Sequence, residues 1–198
     1  MSRELLERAL NYHRSGQWNQ AEQLYRQAIN QDPHQPDGWH LFGILAHQLG
    51  DHKTAIELIA QAVNIAPNNA DFHNSLGEAL RQDRQYEAAI KSYHRCLALQ
   101  PNYAQVWVNL GLAYQSSNDR LSAIDAYETA LKLQPNLWSA LNNLGVLYRQ
   151  GEDYEKAIAV LERAIEINPQ GGIAYDNLGL VYQNKNQPDR HFLPSTSN

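Results

Sequence analysis

Three asparagines have the spacing in this sequence that most clearly points to binding chemistry. Asn109, Asn143 and Asn177 recur at one fixed interval and stand in the contexts VNLG, NNLG and DNLG. A carboxamide carries both hydrogen-bond donors and an acceptor, so asparagines stacked along a groove can pair with the backbone of an extended peptide whatever its side chains. The spacing therefore predicts a peptide-binding row in the C-terminal half of the chain.

An apolar residue follows each asparagine of this row by three positions. These residues are Leu112, Val146 and Leu180, and we place Asn142 and Arg149 in the same groove. Neutral hydrogen bonds contribute only about 0.5–1.5 kcal/mol each, so apolar anchors are needed to offset the cost of association. We expect micromolar affinity for one peptide, about −8 kcal/mol. The alternative is that the asparagines are ordinary polar surface and the apolar residues pack between helices.

Three histidines near the N-terminus raise the question of a metal site. His13 and His47 are separated by the same interval as the asparagines, and Asp37 lies three residues before His40. Zinc ligands must converge to roughly 2 Å from one ion, and nothing in this spacing requires convergence. We therefore predict that these histidines are polar groove side chains and that the chain has no metal site.

No residue pattern in the sequence indicates catalysis. A phosphate-binding glycine loop, a nucleophile with a base and a pair of carboxylates in a defined cleft are all missing from the sequence. We interpret Gly171 and Gly172, which lie between two repeats, as a helix boundary. Cys96 stands where other repeats have alanine, so we interpret it as a buried core thiol. We predict a protein without enzymatic activity or cofactors.

The elements that position these residues follow from five prolines at a fixed interval. Proline removes a backbone N–H and disfavours helix in the residue before it, so each proline predicts the end of a helix, the fourth near Gln134. A 34-residue period is typical of a stacked array of helix pairs. The prolines are Pro33, Pro67, Pro101, Pro135 and Pro169, and the repeats run over 2–35, 36–69, 70–103, 104–137 and 138–171, with a partial copy over 172–185.

Two columns of small residues indicate where the two helices of each pair, A and B, approach closely. With the first residue of each repeat as position 1, position 20 in helix B is always alanine, from Ala21 to Ala157. Position 8 in helix A is glycine from Gly43 to Gly179. Glycine inside a helix costs about 0.5–1 kcal/mol relative to alanine, so close approach must compensate for it. We expect position 20 to face position 8.

These columns resemble the tetratricopeptide repeat, with its pattern W-x-x-L-G-x-x-Y followed by Ala, Tyr, Ala and Pro. The resemblance implies an all-α fold, a right-handed superhelical solenoid of antiparallel helix pairs forming one domain over residues 1–185. It also implies that helix A lines a concave groove. The asparagine row is similar to the ladder in the repeat region of O-linked N-acetylglucosamine transferases, although repeats 1 to 3 lack it. The matching residues are Trp107, Leu110, Gly111, Tyr114, Ala123, Tyr127, Ala130 and Pro135.

The sixth copy follows the pattern through Gly179 and Tyr182 and then departs from it. Position 20 is His191 instead of a small residue, and Pro194 follows. We predict that helix B does not form there as in the other repeats and that residues 186–198 are poorly ordered. Either helix A of this copy acts as a lone C-terminal cap, or the chain is a piece of a longer one whose next repeats are missing. An unpaired apolar face at a repeat end leads us to expect weak self-association.

The charge distribution and the N-terminal residues limit the classes of partner and the compartment that we expect. The formal charge of −5 is spread along the sequence without a basic stripe, which disfavours nucleic acid and anionic membrane. The first residues are charged and amphipathic, which indicates a cytoplasmic protein. Leu6 and Leu10 replace the basic residues with which some relatives hold acidic chaperone tails.

Three functions remain open from the sequence. The first is a non-enzymatic scaffold that binds an extended peptide or partner protein in its concave groove. The second is the substrate-recognition arm of a larger glycosyltransferase, and the third is a self-assembly element.

Overall fold

A computed structural model describes residues 2–186, and these residues form eleven α-helices and no strand. In the first three repeats and the fifth, a turn of a few residues joins the two helices, which makes them antiparallel, and the predicted all-α repeat fold is confirmed. The helices are α1 (Ser2–Arg14), α2 (Trp18–Gln31), α3 (Pro36–Gln48), α4 (His52–Ile65), α5 (Ala70–Gln82), α6 (Tyr86–Leu99), α7 (Ala104–Ser116), α8 (Arg120–Leu133), α9 (Trp138–Gln150), α10 (Tyr154–Ile167) and α11 (Gly172–Lys185).

The chain divides into two compact units, the first extending to Asp119 and the second beginning at Arg120. In the first unit α1 packs on α2, α3 on α4 and α5 on α6, and α7 packs on α5 and α6. In the second unit α9 packs on α8 and α10, and α11 packs on α9 and α10. The odd-numbered helices are the A helices of the repeats and the even-numbered ones are the B helices.

Helix ends follow from local sequence. Asp51 and Asp153 precede B helices, and their carboxylates accept the backbone N–H three residues later, a standard N-cap. Before α5, Asn69 caps in the same way. Helix α8 ends at Leu133, one residue from the predicted end at Gln134.

The turn between helix A and helix B requires a left-handed residue at position 15 of each repeat. Gly16 and Gly50 supply it in the first two repeats, with φ of 74° and 82°. The next three repeats use Arg84, Asn118 and Glu152, with φ of 62°, 63° and 62°. A side chain with a Cβ is strained there by about 1–2 kcal/mol, so these turns are held by the packing of the helices around them.

The glycine at position 8 makes room for a side chain that the sequence analysis did not expect. A Cβ added to Gly43 would lie 2.5 Å from Ile59, and one added to Gly145 would lie 2.4 Å from Leu161. Ile59 and Leu161 occupy position 24, one helical turn after the alanine at position 20. The alanine that was expected to face Gly43 is Ala55, and only its backbone carbonyl oxygen lies near, 3.2 Å from the added Cβ. The expectation that alanine faces glycine is corrected: alanine lets the helices approach, and the larger residue fills the space above the glycine.

In repeats 2 to 5 a hydrogen bond ties the preceding proline turn to a helix of the repeat. In three repeats the ring nitrogen at position 4 donates to the carbonyl of the preceding proline. The bonds join Trp39 to Pro33, His73 to Pro67 and Trp107 to Pro101, at 2.9, 2.9 and 3.0 Å. Where position 4 is Leu141, the guanidinium of Arg163 donates to the Pro135 carbonyl instead, at 3.0 Å.

Cys96 is fully buried in α6, and burial raises the pKa of its thiol to about 11. The interpretation of Cys96 as a core thiol is confirmed. The predictions about His191, Pro194 and the order of the tail concern residues outside the described range.

Candidate interaction surfaces on the A helices

Asn109 of the predicted row is held by side chains of its own unit. Its Nδ2 donates to Asn74 Oδ1 at 3.2 Å and to Glu78 Oε1 at 2.9 Å, and Gln105 donates to its Oδ1 at 3.4 Å. An asparagine amide has only two N–H groups, so both donors of Asn109 have acceptors within the chain. The side chain is buried, with 8% of its surface exposed.

The same link recurs between other successive A helices, from position 5 of one repeat to position 6 of the next. Asn177 Nδ2 donates to Asn142 Oδ1 at 2.9 Å, and His40 Nε2 lies 2.8 Å from Ser75 Oγ. In both pairs, as in Asn74 with Asn109, the partners are offset by 35 in the sequence. The sequence analysis compared equivalent positions of the repeats and missed these links, although the polar pairs are visible at this longer offset.

The other residues of the predicted groove differ in accessibility. Asn143 and Val146 of α9 and Leu112 of α7 are half-buried. Leu180 of α11 is 41% exposed, and Asn142 is buried. Arg149 is half-buried, and its Nε has no hydrogen-bond partner among residues 2–186. The first unit therefore holds Asn109 and Leu112, and the second holds the remaining six residues.

A groove of about 560 Å³ lies between α1 and α3 in the first unit, at a place that the sequence analysis did not single out. Its lining comes from positions 2, 5, 6 and 9 of the A helices, which include the positions of the predicted asparagine and apolar rows, together with the residue before α3. The lining residues are Arg3, Leu6, Glu7, Leu10, Gln35, Asp37, His40 and Leu41.

The rim of this groove carries two carboxylates, Glu7 and Asp37, and one guanidinium, Arg3. Glu7 lies 3.6 Å from Arg3, an exposed pair of little strength, and Asp37 is exposed on α3. Burial lowers the pKa of His40, and the carboxylates of Asp37 and Asp71 oppose this shift. The lowered pKa favours the neutral form of the His40 ring over the charged one.

The prediction that His13 faces the groove is wrong. His13 is 6% exposed, its Nδ1 lies 3.1 Å from the hydroxyl of Tyr25, and its Nε2 lies 2.7 Å from Gln48 Oε1. It is a satisfied core histidine because position 12 packs between repeats. His47 is half-buried, and its Nδ1 lies 3.2 Å from Nδ1 of His52.

Neither metal ligation nor membrane insertion has structural support in the described range. Residues 2–186 contain no group of three or more His, Cys, Asp or Glu side chains placed to hold one metal ion. No helix within that range is both long enough and apolar enough to span a bilayer.

Comparison with known protein families shows to which family this chain belongs. Three family models of the tetratricopeptide repeat match the chain, over residues 12–79, 78–118 and 108–172. The chain belongs to the tetratricopeptide repeat family. The repeat borders derived from the prolines, the small residues at positions 8 and 20 and the helix pairs all agree with this assignment.

Solved tetratricopeptide repeat structures share the fold at low sequence identity. MamA residues 41 to the end from Desulfovibrio magneticus RS-1 is 20% identical with a TM-score of 0.80, covering 86% of this chain and 96% of its own. YrrB, a TPR protein with an unusual peptide-binding site, is 22% identical with a TM-score of 0.74, covering 87% and 89%. PilF from Pseudomonas aeruginosa is 22% identical with a TM-score of 0.80, covering 93% and 85%. No curated protein sequence matches the chain.

Proposed function

We propose that this tetratricopeptide repeat chain is a non-enzymatic interaction module that binds an extended segment of a partner protein along its A helices. The observation that carries the proposal is the groove between α1 and α3. It is built from positions 2, 5, 6 and 9, which include those from which the sequence predicted peptide binding. The peptide-binding site attributed to YrrB gives the proposal support from a protein of the same fold.

The chemistry of the α1/α3 groove fits a peptide that carries an apolar side chain next to a basic one. Leu10 and Leu41 offer half-buried apolar surface, and Glu7 and Asp37 supply carboxylates at the rim. A volume of about 560 Å³ is in the range of sites that enclose a few side chains. Because Arg3 pairs with Glu7, the rim keeps a net negative charge through Asp37, which favours a lysine or arginine on the peptide and opposes acidic segments.

The second unit offers a related surface on α9 and α11. Asn143 and Val146 are half-buried, Leu180 is exposed, and the bond from Asn177 to Asn142 uses one of its two N–H groups. In this proposal Asn143 and Asn177 bond the peptide backbone, Val146 and Leu180 contact its side chains, and Arg149 and Asn142 border the site. In the first unit Asn109 holds Glu78 and Asn74 in place while Leu112 contacts the peptide.

Selection of peptides from a displayed random library on the full chain, followed by fluorescence anisotropy with each selected peptide, tests the proposal. Asp37→Asn with Leu10→Ala tests the first unit, and Asn143→Ala with Asn177→Ala tests the second. Exposed helix B residues provide matched controls, Glu57→Gln and Asn64→Ala.

We expect selected peptides to lose affinity for at least one inner-face double variant and to retain it for both controls. Peptides that bind both inner-face variants as well as the unaltered chain would contradict the proposal, and so would a library that yields no binder.

A further inference from the structure

The last helix exposes apolar residues at positions that are buried in the preceding repeat. Tyr175 and Tyr182 of α11 are 48% and 43% exposed. The equivalent residues of α9, Leu141 and Tyr148, are 0% and 8% exposed. They occupy positions 4 and 11, which α10 helps to cover in the fifth repeat.

Gly179 marks the centre of this uncovered surface. In three other A helices a Cβ added at position 8 would lie within 2.6 Å of a helix B side chain, the pairs being Gly43 with Ile59, Gly77 with Tyr93 and Gly145 with Leu161. A Cβ added at Gly179 would meet nothing within 4 Å. We name the surface formed by Tyr175, Leu178, Gly179 and Tyr182 the Gly179 face.

The molecule itself shows what covers such a face. Every B helix from α2 to α10 has a small residue at position 20, a large residue at position 24 and a small residue at position 27. In α10 these residues are Ala157, Leu161 and Ala164. The large residue fills the space over the glycine, and the small ones let the backbones approach. At these three positions after α11 the sequence has His191, Ser195 and Asn198, so this segment does not carry the pattern.

A second copy of the chain is a poor occupant. Its B helices bury their own side chains at position 24, which are Tyr25, Ile59, Tyr93, Tyr127 and Leu161, each at most 1% exposed. The B helices of a copy therefore have no large side chain at position 24 free to fill the space over Gly179, and in a contact between two Gly179 faces glycine would meet glycine.

We propose that the Gly179 face docks an amphipathic helix of a partner protein, in the manner of a sixth helix B. The partner helix carries alanine, a large apolar residue four positions later and alanine three positions after that. This site uses positions 4, 7, 8 and 11, whereas the peptide groove uses positions 2, 5, 6 and 9, so it does not depend on the function proposed above.

A peptide with the sequence of α10, residues 154–167, is the probe, since it is a helix B that this fold already accepts. Isolated helices of this length are marginal in water, so Glu166→Lys allows a lactam bridge to the exposed Glu162. Binding of the labelled peptide to the full chain is followed by fluorescence anisotropy. A second peptide with Leu161→Asp tests whether the large apolar residue is needed.

Gly179→Leu on the full chain fills the space that the partner needs without a clash in the chain itself. Gly172→Ala is the matched control, because Gly172 lies on the same helix and a Cβ there also meets nothing within 4 Å. Circular dichroism melts serve to check that both variants are folded.

We expect micromolar binding to the unaltered chain and to Gly172→Ala, and a loss of about tenfold or more with Gly179→Leu because the added side chain overpacks the site. The Leu161→Asp peptide should not bind. Three results would overturn the proposal: no binding to the unaltered chain; equal binding to Gly179→Leu, as expected if the peptide merely exchanges with α10; or a dimer in light scattering that Gly179→Leu converts to monomer, which would make a second copy the occupant.

Discussion

The amide of Asn109 donates to the carboxylate of Glu78 across two successive A helices, at 2.9 Å. A hydrogen bond to a charged group contributes about 1.5–3 kcal/mol, more than a neutral one. The asparagine therefore joins two repeats in the first unit, and it holds the carboxylate of Glu78 in a fixed position.

Replacing Asn109 with alanine should lower the free energy of unfolding by about 1–3 kcal/mol, because Glu78 and Asn74 lose their shared donor. Urea denaturation of the full chain measures the change. Asn64→Ala, on the exposed surface of α4, is the control and should change stability by less than about 0.5 kcal/mol. Equal stability of Asn109→Ala and the unaltered chain would show that the link between the repeats contributes nothing.

His73 should be replaceable by tryptophan and not by phenylalanine. Its Nε2 donates to the Pro67 carbonyl as the indole nitrogens of Trp39 and Trp107 do to their prolines. His73→Phe keeps a ring but leaves the carbonyl without its donor, which costs about 1–2 kcal/mol. We expect a higher melting temperature for His73→Trp than for His73→Phe, and the reverse order would refute the role of this bond.

Arg84→Gly should stabilise the chain by about 0.5–1 kcal/mol, because glycine relieves the left-handed strain at φ of 62° and its entropic cost in the unfolded chain offsets only part of this gain. Asn118→Gly at the equivalent position is the comparison, and its gain should be smaller since asparagine tolerates this conformation. Chemical denaturation of both variants checks the order. If Arg84→Gly lowers the free energy of unfolding, the contacts of the arginine side chain stabilise the fold by more than its left-handed backbone conformation costs.

Stability should fall as the pH is lowered from about 7 to 5, in part through His40. Burial lowers the pKa of His40 in the folded chain, so below the unfolded pKa of about 6.5 the unfolded chain binds more protons than the folded chain. The contribution is fully present above that pH and is lost as the pH falls through the folded pKa. His40→Gln should reduce the slope of unfolding free energy against pH, and an unchanged slope would contradict this origin.

Residue spacing predicted the elements of the fold well, because each spacing reflects a local constraint. Pro135 predicted the end of α8 to within one residue, and the small residues at positions 8 and 20 predicted close helix contact. The geometry of proline and the small size of glycine act within one repeat. Their effects can therefore be recognised at a single position when the repeats are aligned.

Two of the features that were missed depend on how one repeat lies against the next. Asn142 bonds Asn177 at a sequence offset of 35, because neighbouring A helices are staggered and not aligned position by position. The burial of His13 has the same cause, since Gln48 of the next repeat covers it. The left-handed turn was hidden because Arg84 and Glu152 stand where the first two repeats have glycine.

The most direct test of the proposed function is to map where a library-selected peptide binds, by backbone amide chemical shifts of the isotope-labelled full chain during a titration. The account predicts that the largest shifts fall on the inner positions of the A helices, such as Glu7, Leu10 and Leu41 in the first unit or Asn143, Val146 and Leu180 in the second. Shifts confined to exposed residues of the B helices, such as Glu57 and Asn64, would contradict it.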